Sequence, residues 1–139
     1  MFNSASIVLI IDRDRFSSAN ISNDLRKLGL ARNTVCLKSA LDALAYLEKQ
    51  LTCGYPFPEF IFYSPHRSDL NQAEFMELYR IKFSDRYNSK VILIQKKSDE
   101  RSGRRLFEDS LIQGELRKPL SSGQLLRIFQ KEMKERVPR

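Results

Sequence analysis

Ile7-Val8-Leu9-Ile10-Ile11, running into Asp12-Arg13-Asp14, decides the architecture of this chain. Five consecutive aliphatic residues are too few for a helix and lack polar alternation. That pattern suits a strand buried on both faces, which belongs in a parallel sheet covered by helices above and below. Two other segments repeat it. Phe60-Ile61-Phe62-Tyr63 runs into Ser64, and Val91-Ile92-Leu93-Ile94 runs into Gln95. Shorter strands are predicted over Thr34–Leu37 and Glu115–Arg117, the latter running into Lys118-Pro119.

The intervening segments have helical spacing. Phe16 to Leu28 reads as a helix with Ile21, Leu25 and Leu28 on one face and Gly29 as its terminator. Ser39 is placed to cap the next helix, with Leu41, Leu44 and Leu47 as its expected inward stripe. From Cys53 to Pro58 the chain is a turn-rich loop, since Pro56 and Pro58 forbid helix continuation. A third helix carries Phe75, Leu78 and Tyr79 on one side, and a polar helix is predicted from about Asp99 to Leu111. Ser121 or Ser122 opens a last helix with Leu125, Leu126, Ile128, Phe129 and Met133. This alternation predicts a flavodoxin-like, doubly wound α/β fold: a five-stranded parallel sheet of order 2-1-3-4-5, helices on both faces. One domain is expected over residues 1–139, with its core from about 5 to 134 and a frayed tail at Arg136-Val137-Pro138-Arg139.

Composition narrows the class. With 42% hydrophobic residues the chain can build a core, and no apolar run approaches the ~20 residues of a membrane helix. Met1-Phe2-Asn3-Ser4 lacks a basic stretch followed by an apolar one, so no secretory signal is expected. Cys36 and Cys53 are far apart and not in metal-type spacing. Both read as reduced thiols of a cytoplasmic protein, Cys36 in the core of the second strand and Cys53 in the loop. The net charge of +7 is spread along the chain, which favours a generally basic surface over a dedicated nucleic-acid patch.

Doubly wound sheets gather their active residues at the carboxyl ends of the strands. Here those ends hold Asp12, Arg13, Asp14, Ser64, Gln95, Lys118 and Pro119. The set resembles the catalytic corners of a response-regulator receiver domain of two-component signalling, and the resemblance covers nearly the whole chain. Such domains carry an acidic pair after strand one and a phosphoacceptor aspartate after strand three. A serine or threonine follows strand four, and Lys-Pro follows strand five. Ser39 to Leu47 is similar to the family's second helix, and Leu70 to Phe75 occupies the turn into its third.

The departures are as informative as the matches. Ser64 stands at the acceptor position, Arg13 where the second metal-binding acid belongs, Gln95 at the switch hydroxyl and Glu115 at the switch aromatic. Only Lys118-Pro119 is fully kept. A serine without a neighbouring base is a weak nucleophile, and a permanently charged guanidinium repels a divalent ion. The resemblance therefore implies an atypical member, a pseudo-receiver. It would be no enzyme and would lack the usual phosphorylation. It would hold no Mg2+ or other cofactor, and it would act as a protein-interaction module. An Asp12–Lys118 salt bridge is expected across the pocket. Arg13 either replaces the metal as a built-in cation or points to solvent.

The implied partner is a histidine kinase or a downstream effector, with a second copy of the chain as the other candidate. The expected output face comprises Lys96, Lys97, Arg101, Arg104, Arg105 and Glu115. One rival reading is a phosphorylatable receiver that uses Asp14 or Asp69. Against it, Asp69 lies five residues past Ser64 and reads as a solvated loop carboxylate. A basic nucleic-acid-binding domain ranks lower, since no recognition helix or stacking motif supports it. No membrane partner is expected. His66 is the single histidine and reads as an exposed loop residue without metal-ligating neighbours. Most of the aromatic group around the third strand should be core, with Tyr55 and Phe57 as a candidate docking patch.

Overall fold

The computed structural model describes residues 5–96 and 110–134. Its strands are β1 (Ala5–Ile11), β2 (Ala31–Leu37), β3 (Phe60–Tyr63), β4 (Lys90–Gln95) and β5 (Ile112–Arg117). The described helices are α1 (Arg15–Lys27), α2 (Ala40–Cys53), α3 (Gln72–Lys82) and α4 (Ser122–Lys134). All strand pairs are parallel, in the order β2-β1-β3-β4-β5. This is the doubly wound sheet expected from the aliphatic runs. The second and last strands are longer than predicted: pairing with β1 carries polar residues such as Asn33 into β2, and pairing with β4 extends β5 back to Ile112 past an irregularity at Gln113.

Alternation along each strand divides the core into two layers. Val8 and Ile10 face one side with Phe60, Phe62, Ile92 and Ile94, packing on Ile21 and Leu25 of α1 and on Leu125, Ile128 and Phe129 of α4. Leu9 and Ile11 face the other side with Ile61, Tyr63, Val91 and Leu93, under Ala43 and Leu47 of α2 and Phe75, Met76 and Tyr79 of α3. Each central strand is thus buried on both faces, which is why its sequence shows a continuous apolar run. Phe60 stacks on Phe129 with centroids 4.2 Å apart. Gly114 lets α4 press against β5, where a Cβ would lie 2.7 Å from Ile128 Cδ1.

Helix ends follow local chemistry. The Asp14 carboxylate accepts from the N–H groups of Phe16 and Ser17 at the start of α1. Ser39 caps α2 by accepting from Asp42 N–H. Asn71 and Glu74 form a capping box on α3. Ser121 and Gln124 do the same before α4, each side chain bonded to the other's backbone N–H. Gly54 ends α2 at φ 71°, a left-handed conformation that suits glycine.

Several expectations are corrected. Leu41 is 61% exposed and not part of the inward stripe of α2, which runs Ala40, Ala43, Leu47 and Gln50. The first turn of α2 is rotated so that Ala40 faces the sheet. Cys36 is exposed, because β2 is an edge strand that α1 covers only in part. Its sulfur leans to 3.9 Å from the Ser18 carbonyl, and this partial burial pushes the thiol above its ordinary range. Cys53 is the last residue of α2 and not a loop residue. Of the two candidate docking aromatics, Tyr55 is exposed, while Phe57 stacks on Tyr87 at 3.8 Å and is structural. Most of the predicted polar helix from Asp99 onward, the residues Lys97, Arg101, Arg104 and Arg105, and the C-terminal tail lie outside the described residues.

Candidate functional site

The carboxyl ends of β1, β3, β4 and β5 meet at one edge of the sheet, as the strand order requires. Between them lies a cleft of about 200 Å³ lined by Asp12, Arg13, Asp14, Ser64, Pro65, His66, Lys96 and Lys118. Three segments far apart in sequence supply its polar floor. Asp12 follows β1 and has only 4% of its surface exposed. Ser64 follows β3, is 7% exposed, and is held in register by its N–H donating to Ile11 O at 2.8 Å. Lys118 follows β5, with its N–H donating to Gln95 O at 2.8 Å.

Charge on the floor is balanced locally. Lys118 Nζ lies 2.9 Å from Asp12 Oδ2, the salt bridge expected from sequence. The second carboxylate oxygen, Oδ1, accepts from Asp14 N–H at 2.9 Å. Asp12 Oδ1 thus accepts a hydrogen bond, while Oδ2 is held by its ion pair with Lys118 without a well-aligned hydrogen bond. The Asp14 carboxylate is turned toward the α1 backbone, where it caps the helix. Of the two alternatives for Arg13, the structure takes the solvent-facing one. The residue is exposed at the rim of the cleft, and the cation paired with Asp12 is Lys118. The Lys118–Pro119 peptide is cis, and Pro119 lines a neighbouring cleft of about 430 Å³ with Phe16, Ile21 and Leu120.

Gln95 is buried at 2% exposure, and among the described residues neither polar atom of its side chain has a hydrogen-bond partner. It stands at the end of β4 but does not line the cleft. Glu115 lies two residues upstream of Arg117 on the same side of β5, and the two pair at 3.5 Å. Among the expected output residues only Lys96 and Glu115 fall within the described residues, and Lys96 also belongs to the cleft.

Two readings of the loop after β3 are overturned. Asp69 is not a solvated carboxylate. Its Oδ2 accepts from Ala40 N–H at 2.6 Å and its Oδ1 from Leu70 N–H at 2.8 Å. Asp69 therefore ties this loop to the start of α2, where a carboxylate also complements the helix dipole. The loop is drawn inward by that bond, a tertiary contact with no local signature. Tyr63 lies close by, and burial, with a smaller contribution from the Asp69 charge, pushes its phenol well above the usual range.

His66 is the second correction. It is half-buried and lines the cleft instead of standing free on the surface. Ser68 N–H donates to His66 Nδ1 at 3.1 Å, with Ser68 Oγ 2.8 Å from the same nitrogen. An Nδ1 that accepts carries no proton, so the neutral ring holds its proton on Nε2. The signal available in sequence was only proximity, two residues beyond Ser64. Phe16 was also missed: it lies in the first turn of α1 yet is 83% exposed.

No protein-family model and no curated protein sequence matches the chain. Solved structures do match in shape. A two-component response regulator from Cytophaga hutchinsonii superposes with a TM-score of 0.82 at 20% identity, covering 95% of this chain and 99% of the other. The signal receiver domain of a signal transduction histidine kinase from Syntrophus aciditrophicus gives 0.72 at 18% identity, over 97% and 94% of the two chains. The receiver domain of NtrX from Brucella abortus gives 0.73 at 13% identity, over 91% and 98%. At these identities the likeness is one of fold. The chain has the receiver fold, with five parallel strands in the order those domains use.

Proposed function

We propose that this chain is a pseudo-receiver: a non-enzymatic protein-interaction module of two-component-type signalling that does not carry a phosphoaspartate. One observation carries the reading. At the end of β3, where the fold's acceptor carboxylate belongs, stands the buried hydroxyl residue Ser64, and the adjacent Asp12 is already neutralised by Lys118 at 2.9 Å. A phosphoryl group has no carboxylate to join there.

The donor set also fits a divalent ion poorly. Magnesium needs several oxygens in near-octahedral array. Here the Asp12 oxygens are engaged by Lys118 and Asp14 N–H, the Asp14 carboxylate caps α1, and the third corner offers a hydroxyl. Among the described residues no group of three or more His, Cys, Asp and Glu side chains is arranged to hold a metal. The rearranged-acceptor reading loses support at the same points, since Asp69 and Asp14 both serve helix N-termini.

The partner in this reading is a signalling protein, a kinase or an effector, that recognises the domain's surface whether or not phosphate is present. Phe16, largely exposed beside Pro119 and Leu120, offers such a partner an apolar contact at the pocket end of the molecule. The test is incubation with radiolabelled acetyl phosphate and Mg2+, followed by intact mass measurement. No covalent phosphate is expected. A stable adduct on Ser64, Asp12, Asp14 or Asp69 sinks the proposal.

A further inference from the structure

We infer that the outer face of α2 and α3 docks a cationic amphipathic helix of a partner protein. The inference gives a surface and a partner chemistry to the interaction role proposed above, and it rests on that role, not on the state of the strand-end pocket. Among the described residues four large apolar side chains stand out in solvent, and two of them, Leu41 at 61% and Ile81 at 66% exposure, belong to α2 and α3. Two contacts fix how these helices face each other. Ala40 N–H, at the start of α2, donates to Asp69, which directly precedes Leu70. Further along, Glu48 of α2 pairs with Lys82 of α3 at 3.5 Å. Leu41 stands seven residues before Glu48, two helical turns, so both lie on the side of α2 that meets α3. Ile81 adjoins Lys82, and Leu78 lies one turn before it.

One exposed leucine is ordinary, but these two flank a groove on α3 lined by Leu70, Ala73, Glu74, Glu77 and Leu78. Together they form an apolar strip across two helices, the kind of patch that marks an interaction site. From Leu41 to Glu48 it runs about 10 Å, the reach of residues i to i+7 on a docked helix. Charge selects the occupant. The chain carries +7 overall, yet Glu48, Glu74 and Glu77 border this strip against Arg80 and Lys82. The Glu77–Arg80 and Glu48–Lys82 pairs are exposed, and such pairs exchange partners at little cost. An acidic border on a basic molecule disfavours a second copy, because a two-fold contact sets the same carboxylates against each other. It favours a helix whose aliphatic stripe is flanked by lysine or arginine.

The experiment is a titration of the 15N-labelled chain with a helical peptide of alanine and lysine carrying leucines at i, i+3, i+4 and i+7. A second peptide has glutamate at every lysine. Saturable shifts with the lysine peptide are expected along the outer face of α2 and α3, with the α1 and α4 layer unmoved. The glutamate peptide should not bind, and added salt should weaken the lysine peptide. The double variant Leu41→Ser, Ile81→Ser changes two exposed side chains and should keep the parent fold, as its own spectrum shows. Its affinity is expected to fall about tenfold or more. Four outcomes overturn the inference: no saturable shifts at millimolar peptide, shifts spread over both layers, equal binding of the two peptides, or parent-like affinity in the double variant. Sedimentation of the chain alone tests the other occupant, and a dimer that the double variant dissociates gives this face to a second copy and overturns the inference too. Failure here leaves the absence of a phosphoaspartate standing, whereas a covalent adduct with acetyl phosphate defeats that reading whatever the peptides do.

Discussion

Asp12 and Lys118 are the residues on which the pocket turns. A buried carboxylate costs several kcal/mol to desolvate, and its partner offsets that only while present. Asp12 is almost wholly buried and the Lys118 side chain is 17% exposed, so removing the lysine strands a negative charge. Lys118→Met is expected to cost about 3 kcal/mol, read from urea unfolding. The double variant Asp12→Leu, Lys118→Met should recover most of that loss, since neither charge then remains buried alone. If the single variant unfolds like the parent, the pair contributes nothing and Asp12 is solvated. The sequence pointed to this bridge because both residues follow strands that converge on one edge. It did not reveal that Asp14 turns away to cap α1, since which donor a short carboxylate takes depends on backbone direction within two residues.

At the scale of elements, α2 is held at its start by two caps from different parts of the chain. Ser39 serves the N–H of Asp42, and Asp69 serves the N–H of Ala40 from the loop after β3. Either residue replaced by alanine should cost about 1 kcal/mol or somewhat more. Asp69→Ala should also loosen the loop that carries His66. Chemical denaturation gives the first effect and amide exchange across residues 66–71 the second. If Asp69→Ala leaves both unchanged, the capping role is wrong. The Ser39 cap was legible, being a serine directly before a helical pattern. The Asp69 cap was not, because its helix begins 29 residues away. Leu41 illustrates the same limit from the packing side. Leucines at three-residue spacing suggested a stripe, but the sheet selects Ala40 and Ala43, whose small side chains allow close approach.

Across the whole molecule, buried polar groups sit at both ends of the sheet. Asp12–Lys118 closes the carboxyl edge, and Lys90 pairs with buried Glu132 at 3.7 Å where β4 begins and α4 ends. Between these ends, Tyr63 and Tyr79 are buried in the α2–α3 layer. Burial raises both phenols in the folded state, with the Asp69 charge adding to Tyr63. The folded values therefore lie above the unfolded value of about 10. Their contribution is fully present below that pH and is lost as pH climbs from there toward the folded values. Stability should decline steeply above about pH 10, and the phenolate absorbance of these tyrosines should appear only with unfolding. Tyr63→Phe should make that alkaline decline shallower in urea titrations run at successive pH. Ionisation of Tyr63 at ordinary phenol pH in the folded protein is the contrary result. No described helix is long and apolar enough to cross a membrane.

The sequence by itself determined the sheet. Runs such as Ile7–Ile11 and Val91–Ile94 encode burial on both faces, and burial is a local consequence of side-chain chemistry repeated at every residue. It also determined which residues stand at the strand ends, since those follow the runs directly. Only the tertiary structure decided what those residues do to one another. Whether Asp12 meets Lys118 or Arg13, whether His66 enters the cleft, and whether Asp69 is solvated or a cap depend on contacts between segments dozens of residues apart. Hydrogen bonds are short and directional, so a residue's role is fixed by where its partner's backbone arrives, and no local pattern in the chain records that.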